Sequence, residues 1–135
     1  MINLKILKIA NNTKYFGLEK KFTHKARIKN PKCGDKIDIE IITKKNKINL
    51  LRYETDACIF CQASASILAN KIKSFSILEL KKDLIILKDQ INRKNYNLPK
   101  KFKVFKDLIN KDNINRIECI MLPLNAIAKA LKYKL

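Results

Sequence analysis

Three short segments, each with a cysteine beside a predicted turn or helix boundary, constrain this sequence most. They are Asn30–Asp35 (NPKCGD), Ala57–Ser66 (ACIFCQASAS) and Arg116–Cys119 (RIEC). Pro31 and Gly34 bracket Cys33 in a predicted turn. Together the segments offer three thiolates and the Asp35 carboxylate to one metal ion. The rest of the sequence predicts only a small basic domain.

The length and composition predict one globular domain over residues 1–135. The chain has 135 residues, a usual domain size, and 47% of them are hydrophobic. It has no apolar run long enough to cross a membrane, and Met1–Lys8 mixes lysine with apolar residues unlike a secretory signal. We therefore expect a cytoplasmic protein without a membrane partner. Four cysteines allow two disulfides, but these suit small secreted domains, so we favour a metal or a reactive thiol.

The net charge of +18 is large enough to suggest binding to nucleic acid. Lysine, however, is spread over every segment, aromatic residues make up only 7% and tryptophan is absent. We favour a compositional bias and expect no nucleic-acid partner. A basic zinc-containing nucleic-acid-binding module stays as the more remote alternative.

Hydrophobic periodicity predicts an α+β fold. The predicted helices cover 2–10, 59–73, 76–91, 102–109 and 117–134, and the predicted strands cover 24–29, 37–41 and 48–54. Antiparallel pairing brings the Asp35 turn and Cys58 to the same end of the strands. We expect about three antiparallel strands, helices packed on one face, and the site exposed at one end. Pro123 should delay or bend the last helix.

The residues around Cys58 leave one alternative open. Cys58 lies near a predicted helix N-terminus, whose partial positive charge favours a thiolate. Cys61 follows one turn later on the same face, so a Cys-x-x-Cys ligand pair competes with a buried small apolar residue, which we favour. Ser64 and Ser66 are interpreted as helix-packing residues. His24, the single histidine, is interpreted as a surface or strand residue.

The three segments resemble motifs of the IscU/NifU-like iron–sulfur cluster assembly proteins, and more closely of their SufU branch. Asn30–Asp35 matches Asn-Pro-x-Cys-Gly-Asp, Ala57–Ser66 resembles Gly-Cys-Ser-Ile-Ser-x-Ala-Ser-Ala-Ser, and Arg116–Leu122 matches Arg-x-x-Cys-x-x-Leu. The long segment before Cys119, and Glu118 where IscU proteins usually have histidine, favour the SufU branch. The sequence departs from the family at Ala57, Cys61 and Pro123, and in its positive charge.

This resemblance implies a SufE/NifU-like fold and a function in iron–sulfur cluster biogenesis. It implies a zinc site formed by four ligands, Cys33, Asp35, Cys58 and Cys119, with Arg116 as a supporting residue. The protein would then be a zinc-dependent sulfur acceptor, a possible sulfurtransferase, whose Cys33 takes persulfide sulfur from a SufS-like cysteine desulfurase. Downstream iron–sulfur assembly proteins would be further partners. Alternatively, the same four residues would bind an iron–sulfur cluster, and the protein would be a scaffold on which a 2Fe–2S cluster is assembled and transferred.

Overall fold

The computed structural model describes residues 3–31 and 33–133. Within them the chain forms α1 (Leu4–Ala10), β1 (His24–Lys29), β2 (Lys36–Lys44), β3 (Lys47–Asp56), α2 (Ile59–Lys71), α3 (Ile77–Asn92) and α4 (Ile117–Ala130). Short 3₁₀ helices cover Ile72–Ser74, Lys100–Phe105 and Lys111–Arg116. Ile2 and Lys134, the outer ends of two predicted helices, lie outside the described residues, as does Lys32 of the predicted turn.

The three strands form one antiparallel sheet in the order β1-β2-β3. Lys29 pairs with Lys36, so residues 30–35 are the connection between β1 and β2. Lys36 also pairs with Asp56, which brings the end of β3 to the same edge of the sheet. Alternate residues of β2 point into the core, where Ile37, Ile39 and Ile41 are buried. The predicted three-stranded α+β fold is therefore confirmed.

Helix α2 is the central packing element beneath the sheet. It contacts α1, α4 and β3, and its residues from Phe60 to Ala69 are buried, with Gln62 partly exposed. The small residues predicted to allow close packing do so. The Ser64 hydroxyl donates to the Ile120 carbonyl at 2.6 Å, and the Ser66 hydroxyl donates to the Asn12 carbonyl at 2.9 Å. These bonds satisfy two buried hydroxyls while the helices approach closely.

Pro123 lies inside α4 and does not delay it, because α4 begins at Ile117. A proline has no N–H, so the carbonyl four residues earlier, that of Cys119, loses its usual intrahelical donor. The next carbonyl, that of Ile120, receives the Ser64 hydroxyl. A side chain of α2 therefore supports the turn of α4 that the proline weakens.

The α-helix predicted over 102–109 is wrong. Lys100–Phe105 forms a 3₁₀ helix and the chain then continues in turns. The buried residues Phe102, Phe105 and Leu108 recur every three positions, which matches the three residues per turn of a 3₁₀ helix. Phe75, Phe102 and Phe105 pack in sequence, with ring centroids 5.3 and 5.5 Å apart. None of the helices in the described residues is long and apolar enough to span a bilayer.

The outer face of the sheet holds an N-terminal loop through a polar cluster. The backbone N–H groups of Glu19 and Lys20 donate to Glu40 Oε1 at 2.9 and 3.0 Å. Arg52, directly opposite Glu40 in the register, donates to the Gly17 carbonyl at 2.7 Å. Glu40 is buried although it faces away from the apolar core. This cluster fixes residues 17–20 across the sheet.

Candidate metal centre

The connection between β1 and β2 positions Cys33 and Asp35. Its ends are joined by the Asn30 N–H donating to the Asp35 carbonyl at 2.7 Å, and the Gly34 N–H donates to the Asn30 carbonyl at 2.8 Å. Gly34 has φ +76°, and a Cβ there would meet no atom within 4 Å. Glycine is therefore required by the backbone conformation and not by space. The turn leaves Cys33 exposed and Asp35 buried.

Asp35 connects this turn to the start of α2. Its Oδ1 accepts the backbone N–H of Cys58 at 3.2 Å, and Cys58 is the N-cap residue of α2, as the sequence predicts. The other carboxylate oxygen, Oδ2, is buried without a hydrogen-bond partner among the described residues. A buried carboxylate oxygen left in this state is costly. The site therefore has a ligand atom that lacks a partner.

Cys119 joins the group from the first turn of α4. The Sγ atoms of Cys33 and Cys119 and a carboxylate oxygen of Asp35 all lie within 4.8 Å of one another. Small side-chain adjustments would bring such atoms to the bond lengths of about 2.0–2.3 Å that zinc makes with oxygen and sulfur. The structure thus brings together three of the four predicted ligands.

Cys58 lies beside this group of three. Its Sγ atom does not lie within 4.8 Å of all three ligand atoms, so it is not counted in the group. It is partly exposed, and its thiol is close enough to Cys119 to affect it. Burial raises the pKa of the Cys119 thiol, and the neighbouring Cys58 thiol and Asp35 carboxylate raise it further. Without a metal ion, Cys119 is therefore protonated at neutral pH. A bound cation would have to displace that proton.

Cys61 is fully buried in the hydrophobic core. Burial, followed by the charges of Asp35, Cys58 and Cys33, raises the pKa of its thiol. It is therefore near the site, but it is not one of the three residues whose ligand atoms converge. This placement favours the predicted apolar packing residue over a Cys-x-x-Cys ligand pair.

Arg116 immediately precedes α4 and is exposed. Its guanidinium lies over the Phe60 ring, 5.9 Å from the ring centroid, which is the range of a cation–π contact. Sequence reasoning identified Arg116 and missed Phe60. The available signal was the aromatic residue two positions after Cys58. The first turn of α2 packs against the start of α4, so an aromatic ring there is placed to contact Arg116.

The donor set suits a divalent transition metal. Cysteine sulfur and aspartate oxygen are both zinc ligands, and the unpartnered Asp35 Oδ2 is a buried anionic atom that a cation would satisfy. Three thiolates and one carboxylate would also surround an iron–sulfur cluster. The geometry accordingly fits either of the two predicted cofactors.

Comparisons with known proteins identify the fold and the family. The NifU-like N terminal domain family matches residues 2–134. A nitrogen-fixing NifU-like protein (N-terminal) from Brucella abortus is similar in structure, with a TM-score of 0.81 and 20% identity over 96% of this chain and 91% of the other. A putative iron–sulfur cluster assembly scaffold protein for the SUF system from Fervidobacterium islandicum has a TM-score of 0.78 and 20% identity, covering 96% of each chain. No curated protein matches the sequence. The resemblance drawn from the three cysteine segments is confirmed: the chain belongs to the NifU-like N-terminal domain family of the IscU/NifU-like proteins.

Proposed function

We propose that this chain, acting as a single domain, is a zinc-dependent sulfur acceptor of SufU type in cytoplasmic iron–sulfur cluster biogenesis. The observation that carries the proposal is the contrast between Cys33, exposed on a hairpin turn, and the buried ligand atoms of Asp35 and Cys119 beside it. A partner protein can reach Cys33, while Asp35 and Cys119 stay covered. The donor of sulfur is a SufS-like cysteine desulfurase, and other iron–sulfur assembly proteins receive the sulfur.

Each residue has a distinct part in this reaction. Zinc bound by Cys33, Asp35, Cys58 and Cys119 would keep the three cysteine thiols deprotonated at neutral pH. The Cys33 thiolate attacks the terminal sulfur of the desulfurase persulfide, so that Cys33 becomes a persulfide and the desulfurase cysteine leaves as a thiolate. Acting with the desulfurase, the chain is then a sulfurtransferase. Arg116 offsets part of the negative charge of the ligand set.

Asp35 is the ligand best suited to a site that must exchange. A carboxylate is a harder donor than a thiolate, and zinc holds it less firmly. Asp35 also keeps its bond to the Cys58 backbone, so its position does not depend on the metal. The turn therefore stays ordered while Cys33 changes partners.

A scaffold for cluster assembly is the second candidate. The similar Fervidobacterium protein, a putative iron–sulfur cluster assembly scaffold, favours this candidate. A 2Fe–2S cluster would then be cargo held by the same four residues and passed to a recipient protein. The two candidates differ in what the purified protein contains, zinc without sulfide or iron with matching sulfide.

Persulfide transfer from a cysteine desulfurase supplied with cysteine tests the first candidate. The wild type should gain one sulfur atom, and Cys33→Ser should gain none. Arg27→Ala is the matched control, because Arg27 is an exposed residue of β1 paired with Asp38 and not with the site. Sulfur loading on Cys33→Ser equal to that on the wild type would contradict Cys33 as the acceptor.

A further inference from the structure

Strand β1 lies at the edge of the sheet and has a neighbouring strand on one side only. It pairs with β2, and no other strand among the described residues pairs with it. At the end of this pairing the Asn30 N–H donates to the Asp35 carbonyl at 2.7 Å, and the backbone direction alternates from there along β1. The N–H and C=O groups that point away from β2 therefore belong to Lys25, Arg27 and Lys29.

One of these outward groups is already paired, by a side chain. Lys129, an exposed residue of α4, donates from its ammonium to the Arg27 carbonyl at 2.9 Å. This bond confirms that the Arg27 backbone points away from β2. An ammonium on a flexible stem can give way to the backbone N–H of another chain. The edge of β1 therefore offers donors and acceptors to a further strand.

The side chains beside this edge are basic. Lys25 and Lys29 are exposed on the outer face of the sheet and form no ion pair with a described carboxylate. Arg27, between them, is paired with Asp38 at 2.6 Å. Lysines on an edge strand keep copies of the same protein apart, and the net charge of +18 adds to that repulsion. The edge therefore disfavours a second copy of this chain and favours an acidic segment.

The core side of β1 leaves room for apolar residues. Ala26 and Ile28 point toward the core but are only partly buried, whereas their partners on β2, Ile39 and Ile37, are each 1% exposed. An added strand would place alternate side chains beside Ala26 and Ile28 and cover them. The segment that fits this edge alternates acidic and apolar residues.

We propose that β1 is a docking strand, to which an extended acidic segment of a partner protein adds as a fourth strand of the sheet. In this mode of recognition the backbone hydrogen bonds supply affinity and the alternate side chains supply specificity. The turn that carries Cys33 follows β1 directly, so one end of the bound segment lies beside the candidate metal centre. The inference goes beyond the proposed function and does not depend on the cofactor that the site holds.

An alternating peptide, acetyl-(Glu-Val)₄-amide, tests the docking on the full-length protein. N-methylation of all its glutamates, or of all its valines, gives two peptides of equal charge whose remaining N–H groups point to opposite sides of a strand. Calorimetry should show binding of the unmodified peptide and of only one methylated peptide. Equal affinity of the two methylated peptides, or no binding of the unmodified one, would overturn strand addition.

Hydrogen exchange followed by NMR locates the bound peptide. In the free protein the N–H groups of Ala26 and Ile28 are protected by β2, whereas the outward N–H groups of β1 exchange with solvent. At ten times its dissociation constant, the peptide should slow exchange at Lys25, Arg27 and Lys29 about 10-fold. Protection elsewhere without protection of these three residues would overturn the assignment to β1.

Two substitutions of Arg27 separate its backbone from its charge. Arg27→Ala keeps the outward N–H and should bind the peptide nearly as the wild type does. Arg27→Pro removes that N–H without removing a bond to β2, and it should lower the affinity by about 10-fold. Proline is tolerated on edge strands, and zinc binding equal to that of the wild type shows that the variant is folded. Equal affinities of the two variants would overturn the role of the backbone, and the methylated peptides decide the same question if Arg27→Pro does not fold.

The charge of the partner is tested by a basic peptide and two double variants. The peptide acetyl-(Lys-Val)₄-amide should not bind. Lys25→Gln with Lys29→Gln should weaken binding of the acidic peptide more than Lys44→Gln with Lys45→Gln, which removes the same charge at the far end of the β2–β3 hairpin. Equal losses in the two double variants would trace the attraction to net charge and overturn the assignment of an acidic partner to β1.

Discussion

Two buried carboxylates near each other in the sequence, Asp35 and Glu40, have opposite surroundings. Their residues are 8% and 6% exposed, so burial does not distinguish them. One oxygen of Glu40 accepts two backbone N–H groups from the N-terminal loop. Asp35 accepts one, from Cys58, and its second oxygen has no partner among the described residues. The protein backbone supplies the hydrogen bonds that Glu40 needs, whereas Asp35 Oδ2 still lacks a hydrogen-bond donor or a cation among the described residues.

The difference shows how to tell a structural carboxylate from a ligand in a small protein. Burying a carboxylate is costly unless hydrogen bonds or a cation compensate for lost water. Glu40 obtains that compensation on the outer face of the sheet, from the backbone N–H groups of Glu19 and Lys20. Asp35 lies among cysteine side chains instead. We therefore assign Glu40 to stability and Asp35 to metal binding, and the predictions below test that assignment.

The largest expected effect is on zinc affinity. Asp35→Ala removes a proposed ligand, so we expect a loss greater than the ~10–100-fold typical of residues that merely orient a ligand. Glu40→Gln, the matched control, should bind zinc as the wild type does. Competition with a chromogenic chelator measures both. Equal losses in the two variants would remove the distinction between the carboxylates.

For the free energy of unfolding we expect the opposite order, with a larger loss on substitution of Glu40 than of Asp35. Glu40→Ala leaves two backbone N–H groups without their acceptor, and we expect it to lower the free energy of unfolding by about 3 kcal/mol, since bonds to a charged group contribute roughly 1.5–3 kcal/mol each. Asp35→Ala in metal-free protein should change it by about 1 kcal/mol or less, because it loses one bond and also one unpartnered oxygen. Urea unfolding of the metal-free proteins gives both values. A larger cost for Asp35→Ala would make it the structural residue.

Zinc binding should release protons. The pKa of the Cys119 thiol is raised by burial and by its neighbours, so the thiol is protonated at neutral pH and must lose its proton to bind zinc. The apparent zinc affinity should therefore rise as the pH increases from 6 to 8. Calorimetric titration in buffers of different ionisation enthalpy counts the protons. A pH-independent affinity would contradict zinc binding by the cysteine thiols, Cys119 included.

The smallest expected effect is that of Arg116. Its guanidinium is exposed and is held over the Phe60 ring, where solvent and salt weaken its interaction with the site. Arg116→Ala should lower zinc affinity only a few-fold, and less at high salt. Arg27→Ala removes the same charge from the outer face of the sheet and should have no effect. Identical losses in the two variants would indicate a general effect of net charge.

The sequence predicted the parts of the site that depend on local signals and strand pairing. The turn around Gly34, the helix start at Cys58 and the antiparallel pairing that brings them together were all confirmed. The surroundings of Glu40 were not predicted, because they depend on a loop far away in the sequence that crosses the sheet. The 3₁₀ helix at Lys100–Phe105 was missed because an apolar residue every three positions also fits an α-helix over so short a segment. The unpartnered oxygen of Asp35 depends on tertiary packing and has no sequence signal.

The central claim is that Cys33, Asp35, Cys58 and Cys119 hold one metal ion. Its most direct test is the measurement of zinc, iron and acid-labile sulfide per chain in anaerobically purified wild type and Asp35→Ala. We predict about one zinc and no sulfide in the wild type, and a marked loss of zinc in the variant. Iron with matching sulfide would mean that the same four residues bind an iron–sulfur cluster, as in the scaffold candidate. Wild-type protein that holds no metal, even after zinc is added, would contradict the site itself.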